Sequence, residues 1–194
     1  MKLTRPFVLL VTGPAGAGKT TAAAAWAAAQ AYPTAHVSLD AVRLNIRSGL
    51  AHPEDGWNRE TQRQYELARR ACAGLARLYV RHGFTCVIDD AIFPDWKPVG
   101  YAGWRSQLRG VSLGMVVLLP TLAIVARRNR RRRDGDHPPL PTDLVRTIYE
   151  MMLPWVQQSR FPVIDTSTLS IAETVAAINA AVQIEENAPN ETMP

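Results

Sequence analysis

An α/β fold with a parallel sheet covered on both faces is predicted by two features of the chain. Strand-like and helix-like segments alternate nearly throughout, and a central strand such as "VVLL" is apolar end to end. Five segments read as strands: Phe7 to Thr12, His36 to Leu39, Thr85 to Asp89, Val111 to Leu119 and Phe161 to Ile164. Each is short, apolar or β-branched, and bounded by breakers. Helical spacing of apolar residues runs through Lys19 to Ala31, Glu60 to Arg81, Asp95 to Arg109, Thr121 to Arg133, Thr142 to Gln158 and Ile171 to Gln183. A strand with one wet face would alternate apolar and polar residues; an unbroken apolar run fits burial on both sides.

The chain has 194 residues, 47% of them hydrophobic, which suits a single compact domain, taken as residues 1–184. The polar segment "EENAPNETMP" from Glu185 to Pro194 is expected to be a disordered tail. Nowhere does the sequence reach the roughly 18 consecutive apolar residues of a membrane span. The apolar run near the start is too short for a signal peptide, so the expectation is a cytoplasmic protein without a membrane partner. Cys72 and Cys86 lie in a helical and a strand pattern without metal-ligand spacing and read as buried free thiols. His36, His52, His82 and His137 likewise form no ligand spacing. The formal charge of +5 favours anionic partners, and the excess is concentrated in one run of arginines.

Between the first strand and the first helix stands "GPAGAGKTT", Gly13 to Thr21, whose first eight residues satisfy G-x-x-x-x-G-K-[ST]. Glycines let the backbone wrap around phosphates, the amides of Gly13, Pro14, Ala15, Gly16, Ala17, Gly18, Lys19, Thr20 and Thr21 (Pro14 excepted, having none) surround them, and the helix dipole adds attraction. Lys19 is placed to reach the outer phosphates and Thr20 to ligate magnesium, so ATP and Mg²⁺ are the expected cofactors. The dinucleotide motif G-x-G-x-x-G is not matched, because "GAGKTT" has threonine at the third glycine. A guanine-recognition "NKxD" signature is also missing from the sequence, which sets GTPases aside.

"HVSLDAVRLN" follows the second strand and holds Asp40 and Arg43, three residues apart and therefore one helical turn apart if a helix starts here. At the carboxyl end of a strand, Asp40 is placed to accept the proton of an attacking hydroxyl and Arg43 to hold an anionic group. Asp40 as a helix cap and Arg43 as solvated surface is the competing reading. The third strand closes in Asp89 and Asp90, whose side chains must point to opposite faces. Asp90 is assigned to the acceptor side and Asp89 to the metal through a water. The run "RRNRRRRDGDHPP" holds Arg127, Arg128, Arg130, Arg131, Arg132 and Arg133. It reads either as a solvated, nucleic-acid-attracting face or as a lid in which Arg128 with Arg131 or Arg132 closes on the phosphates. Trp57 sits in a polar loop where it is placed to stack on a base or cover the cleft, whereas Trp96, Trp104, Tyr149 and Trp155 read as packing residues.

The order "GPAGAGKTT", "LDAVR", "VIDDA", "ARRNRRRR", "PPLPTDLVRTIYEMM" resembles the kinase domain of bacteriophage-type polynucleotide 5′-hydroxyl kinases and the wider P-loop kinase group, AAA_33, around them. The resemblance implies a three-layer α/β/α P-loop nucleoside triphosphate hydrolase fold with a five-stranded parallel sheet and an arginine-rich lid. It implies that Asp40 is the general base and Arg43 the acceptor-phosphate contact, that Asp90 helps bind the acceptor, and that Arg128 and Arg132 are lid arginines. It also implies that the loop around Asp165 to Ser167 borders the adenine. "VIDDAIF" and "VIDTS" resemble chloramphenicol phosphotransferase-like small-molecule kinases as well. The expected activity is transfer of the γ-phosphoryl of ATP to a hydroxyl, with a polynucleotide or nucleotide 5′-hydroxyl as the first acceptor. A small molecule is the second, and a nucleotide-dependent nucleic-acid-binding module without catalysis is the rival to both.

Overall fold

The computed structural model describes residues 5–93, 100–131, 139–158 and 161–184. Among them run β1 (Val8–Thr12), α1 (Lys19–Ala28), β2 (Thr34–Ser38), α2 (Leu39–Arg43), α3 (Arg59–Arg81), β3 (Thr85–Asp89), α4 (Tyr101–Gln107), β4 (Leu113–Leu118), α5 (Leu122–Arg130), α6 (Thr142–Gln158), β5 (Val163–Ile164) and α7 (Ile171–Ala181). The five strands form one sheet in the order β2-β3-β1-β4-β5, with every pair parallel. All five carboxyl ends therefore lie along one edge, where α/β sheets of this kind bind ligands.

The two faces of the sheet bury separate apolar clusters, and the alternation along each strand decides which residue enters which. Val8 and Leu10 of β1 join Cys86 and Ile88 of β3 against Ala68, Cys72, Ala73 and Ala76 of α3 and Trp104 of α4. Phe7, Leu9, Val11 and Val87 face the other way, onto Ala22, Ala23 and Trp26 of α1 and Val175 and Ile178 of α7. Both free thiols lie in the first cluster. Burial pushes each up to about 12, so they stay protonated and behave as small apolar side chains.

The helix starts show how local sequence fixes boundaries. Asn58 caps α3 by accepting from the amides of Glu60 and Thr61, and Ser170 with Glu173 forms a capping box at α7. At α1 the cap is Gly18 in the left-handed region, no side chain caps the first turn, and no acid lies in it. Its first amides are thus left for another partner. Short α2, which the sequence pattern did not reveal beyond the Asp40 to Arg43 spacing, starts directly from β2. The helix expected over Asp95 to Arg109 is seen as α4, and the part of its expected span that contains Trp96 lies outside the described residues, as does the tail from Glu185.

Trp26 ties α1 to α7: its indole is 1% exposed, its N–H donates to Asn179 Oδ1 at 2.7 Å, and its ring meets Phe7 edge-on at 6.3 Å. Trp26→Ala is expected to destabilise the domain by about 4 kcal/mol, because truncation of a buried aromatic leaves a cavity. Thermal unfolding of the variant against the natural protein measures it.

Candidate active site

The loop from Gly13 to Gly18 turns the chain from β1 into α1, and its glycines are required by two close approaches. A Cβ on Gly13, which has φ +150°, would stand 2.2 Å from the carbonyl oxygen of Leu118 at the end of β4. On Gly16, at φ +86°, it would stand 2.8 Å from the carbonyl oxygen of Val125 in α5. The loop is therefore wedged between the ends of β4 and α5 by backbone contact that a larger residue would force apart. Together with the uncapped α1 it lines a cleft of about 650 Å³, whose walls include Lys19, Thr20, Asp40, Leu44, Arg128 and Thr166. Lys19 Nζ donates to the carbonyl of Pro14 at 3.2 Å across the loop.

Asp89 and Asp90 part as the alternation of β3 requires. Asp89 shares the α1 face with Val87 and accepts from Thr20 Oγ1 at 2.8 Å, from Ser38 Oγ at 3.3 Å and from His36 Nε2 at 2.6 Å. Because the Thr20 proton is donated to Asp89, the oxygen lone pairs are left free to face a cation. A hydroxyl and a carboxylate at the mouth of a phosphate loop are the hard oxygen donors that suit Mg²⁺, with phosphate and water oxygens completing its shell. Thr20 and Asp89 are thus the residues that would hold it.

Asp90 lies on the α3 face, 3% exposed, and both of its oxygens are engaged. Arg69 of α3 binds it in a two-point fork, Nε to Oδ2 at 2.9 Å and Nη2 to Oδ1 at 3.0 Å, and the Trp104 indole donates to Oδ2 at 3.1 Å. The carboxylate that the sequence assigned to the acceptor is therefore enclosed by protein donors. Arg43 is also turned from the cleft: it is 4% exposed, donates from Nη1 to the Ala51 carbonyl at 2.9 Å, and stacks 4.7 Å from the Tyr65 ring centre. Arg69 approaches the same ring at 5.6 Å, and Trp57 packs against Tyr65 at 5.2 Å. Burial, then the charge of Asp40, pushes the Tyr65 hydroxyl well above the ordinary tyrosine range, so it remains neutral. Asp40 and Arg43 are one turn apart as expected, but only Asp40 lines the cleft, because α2 begins immediately at β2 and its far face is covered by α3.

Arg128 stands on the opposite wall. Its guanidinium donates to the Ala17 carbonyl at 3.1 Å and to the Thr166 hydroxyl and carbonyl at 3.3 and 2.8 Å. It thereby joins the phosphate loop to the turn after β5. Partial burial, and then the neighbouring charge of Arg127, lower its pKa from the ordinary arginine value, which leaves it a cation. The turn is braced by Asp165, which accepts from the amide and hydroxyl of Ser167, whose oxygen in turn accepts from the Thr121 amide. Asn129, 2% exposed, clamps the backbone of Leu140 through both its amide groups and so brings the two ends of the arginine-rich segment together. Arg132 and Arg133 lie outside the described residues.

Sequence reasoning missed His36, Arg69, Tyr65 and Asn129. For Tyr65 and Arg69 the signal was their spacing, four apart and hence on one face of α3. For His36 the signal was its two-residue spacing from Ser38, which puts both side chains on the same side of β2.

Fold and cleft together define a P-loop kinase. The chain belongs to the AAA domain family, AAA_33, whose model matches residues 8–157. Among solved structures it is similar to a gluconokinase from Sinorhizobium meliloti 1021, with 22% identity, a TM-score of 0.62 and 91% of each chain covered. It is similar to the Deinococcus radiodurans tunicamycin resistance protein, with 20% identity, a TM-score of 0.61 and 95% of this chain and 99% of that one covered. It is also similar to shikimate kinase from Acinetobacter baumannii, solved with shikimate, with 19% identity, a TM-score of 0.60 and coverage of 91% and 92%. These likenesses establish the fold. No curated protein sequence matches the chain. Among the described residues no helix is long and apolar enough to cross a membrane.

Breaking the Arg69–Asp90 pair leaves an uncompensated buried carboxylate. Arg69→Met is expected to cost about 3 kcal/mol and to lower Tm by roughly 10 °C. Nucleotide binding by the folded fraction, which uses the other face of the sheet, is expected to persist; calorimetry and binding titration check the two parts.

Proposed function

We propose that this P-loop kinase transfers the γ-phosphoryl of ATP to an acceptor hydroxyl. The observation that carries the reading is that one cleft is lined both by the phosphate-loop residues Lys19 and Thr20 and by the carboxylate of Asp40. ATP lies with its phosphates in the amides of Gly13 to Thr21, and Lys19 and Arg128 supply positive charge from two sides. Thr20, and Asp89 through a water, are the residues that would hold magnesium, which would supply positive charge against the phosphates. Asp40 accepts the hydroxyl proton as the acceptor oxygen attacks phosphorus, and ADP leaves. Arg43 and Asp90 act from behind this arrangement: Arg43 anchors α2 to the Ala51 carbonyl and the Tyr65 ring, and Asp90 fixes Arg69 beside the same ring. Arg132 is proposed to join Arg128 at the transferred group on the likeness of the arginine run alone.

For the acceptor, the 5′-hydroxyl of a polynucleotide or nucleotide is the first reading, supported by the resemblance of the lid and of "PTDLVRTIYEMM" and by the run of arginines. A small hydroxylated molecule is the second, favoured by the similarity to a gluconokinase, a shikimate kinase and a tunicamycin resistance protein. Incubation with labelled ATP and a panel of 5′-hydroxyl oligonucleotides, nucleosides, sugar acids and hydroxylated antibiotics separates them. Salt-sensitive polynucleotide binding with no transfer to any member of the panel would leave a nucleotide-dependent binding module instead.

Asp40→Asn is expected to retain ATP binding and to lower kcat by about 10² to 10⁴, the contribution of a positioned base. Turnover at the natural rate would remove Asp40 from the mechanism. Lys19→Ala is expected to weaken transfer by at least about tenfold, since it removes a charge from the developing phosphate oxygens. Steady-state kinetics with ATP as the varied substrate gives the comparison.

A further inference from the structure

Asp89 is 2% exposed and accepts three side-chain hydrogen bonds that divide unequally between its oxygens. Oδ2 receives both Thr20 and Ser38, whereas Oδ1 receives His36 alone, by the shortest of the three at 2.6 Å. A carboxylate held through one oxygen only is free to rotate about its own axis, and the His36 contact removes that freedom. Among the described residues no lysine or arginine forms an ion pair with Asp89, so its orientation rests on these three hydrogen bonds, and His36 makes the only one to Oδ1. The sheet explains the reach: Ser38 is the register partner of Asp89 and His36 that of Val87, so His36 leans one rung along β2 toward the carboxylate.

We propose that His36 is a positioning residue that holds Asp89, and through it the Thr20 hydroxyl, in the orientation that takes the magnesium of the bound nucleotide. The proposal rests on the reading of this loop as a nucleotide site. Thr20 has one proton, and the direction in which Asp89 accepts it decides where its lone pairs point. With Oδ1 fixed by His36, Oδ2 faces Thr20 and the threonine oxygen is directed into the cleft. Loss of the imidazole lets the carboxylate turn, so the hydroxyl is no longer pre-set for the metal, although the phosphate-loop amides and Lys19 are untouched. His36 needs to touch neither nucleotide nor acceptor for this effect. Outer groups that orient a ligand in this way commonly change metal affinity by about 10- to 100-fold.

The experiment measures binding of a fluorescent ATP analogue to the full chain in excess Mg²⁺ and in EDTA, for the natural protein, His36→Leu, His36→Ala and His36→Gln. The natural protein is expected to bind more tightly with Mg²⁺. The leucine and alanine variants are expected to lose about tenfold of that gain while their affinity in EDTA stays within about twofold of the natural one. Glutamine, whose amide N–H can replace the imidazole donor, is expected to restore most of the gain. Equal affinity in EDTA reports that each variant is folded, and alanine keeps the comparison available should leucine disrupt the sheet. An undiminished magnesium gain in the leucine and alanine variants would overturn the role of His36 and leave the nucleotide site standing. Failure of glutamine to rescue would overturn the hydrogen-bond basis. Absence of any magnesium gain in the natural protein, with the analogue still bound in EDTA, would overturn this inference alone, and absence of binding in both conditions would remove the nucleotide reading and this inference with it.

Discussion

The opposite orientation of two adjacent carboxylates at the end of β3 is the constraint on which the site depends. Successive residues of a strand face opposite sides of the sheet, so Asp89 and Asp90 cannot serve one centre directly. Asp89 belongs to the α1 side, where Thr20, Ser38 and His36 converge on it. Asp90 belongs to the α3 side, where Arg69 and Trp104 enclose it. A single dipeptide thus holds Thr20 at the end of the phosphate loop from one face and Arg69 of α3 from the other. A buried carboxylate is costly unless its oxygens are satisfied, and the two solutions differ in kind. Asp90 is paired with a forked arginine, while Asp89 accepts from two hydroxyls and an imidazole.

The rest of the cleft is built from the same sheet edge. Gly13 and Gly16 admit the carbonyls of β4 and α5 against the loop, so its shape is set by elements distant in sequence. Arg128 then closes the circuit, since it bonds the loop at Ala17 and the turn after β5 at Thr166. In consequence, α5 carries both an apolar anchor, the buried Val125, and the cation that reaches the nucleotide side. Asn129, next to Arg128, holds the backbone of Leu140.

The packing of α2 on α3 is organised around Tyr65. Two guanidinium groups share its ring, one from α2 and one from α3, and Trp57 covers its outer flank. These contacts join the helix that carries Asp40 to the helix that carries Arg69. Arg43 consequently secures the position of α2, and its contribution to Asp40 is made through the backbone of that short helix.

Much of this was readable along the chain. The phosphate loop is a local device whose spacing, glycines and flanking strand and helix all lie within Phe7 to Ala31, so sequence determined its position and its chemistry. The parallel sheet follows from the strand–helix order, its two buried faces from the unbroken apolar strands, and the divergence of Asp89 from Asp90 from the alternation of side chains along a strand. Which carboxylate meets which helix did not follow, because the face covered by α1 is fixed only when the chain folds back in the order β2-β3-β1-β4-β5. The inward turn of Arg43 and the pairing of Arg69 with Asp90 depend on α3 packing across 21 residues of sequence or more, beyond any local pattern. His36 is the clearest case: as an isolated histidine in a strand it carried no motif, and only the register of β2 against β3 brought it to the carboxylate beneath Thr20.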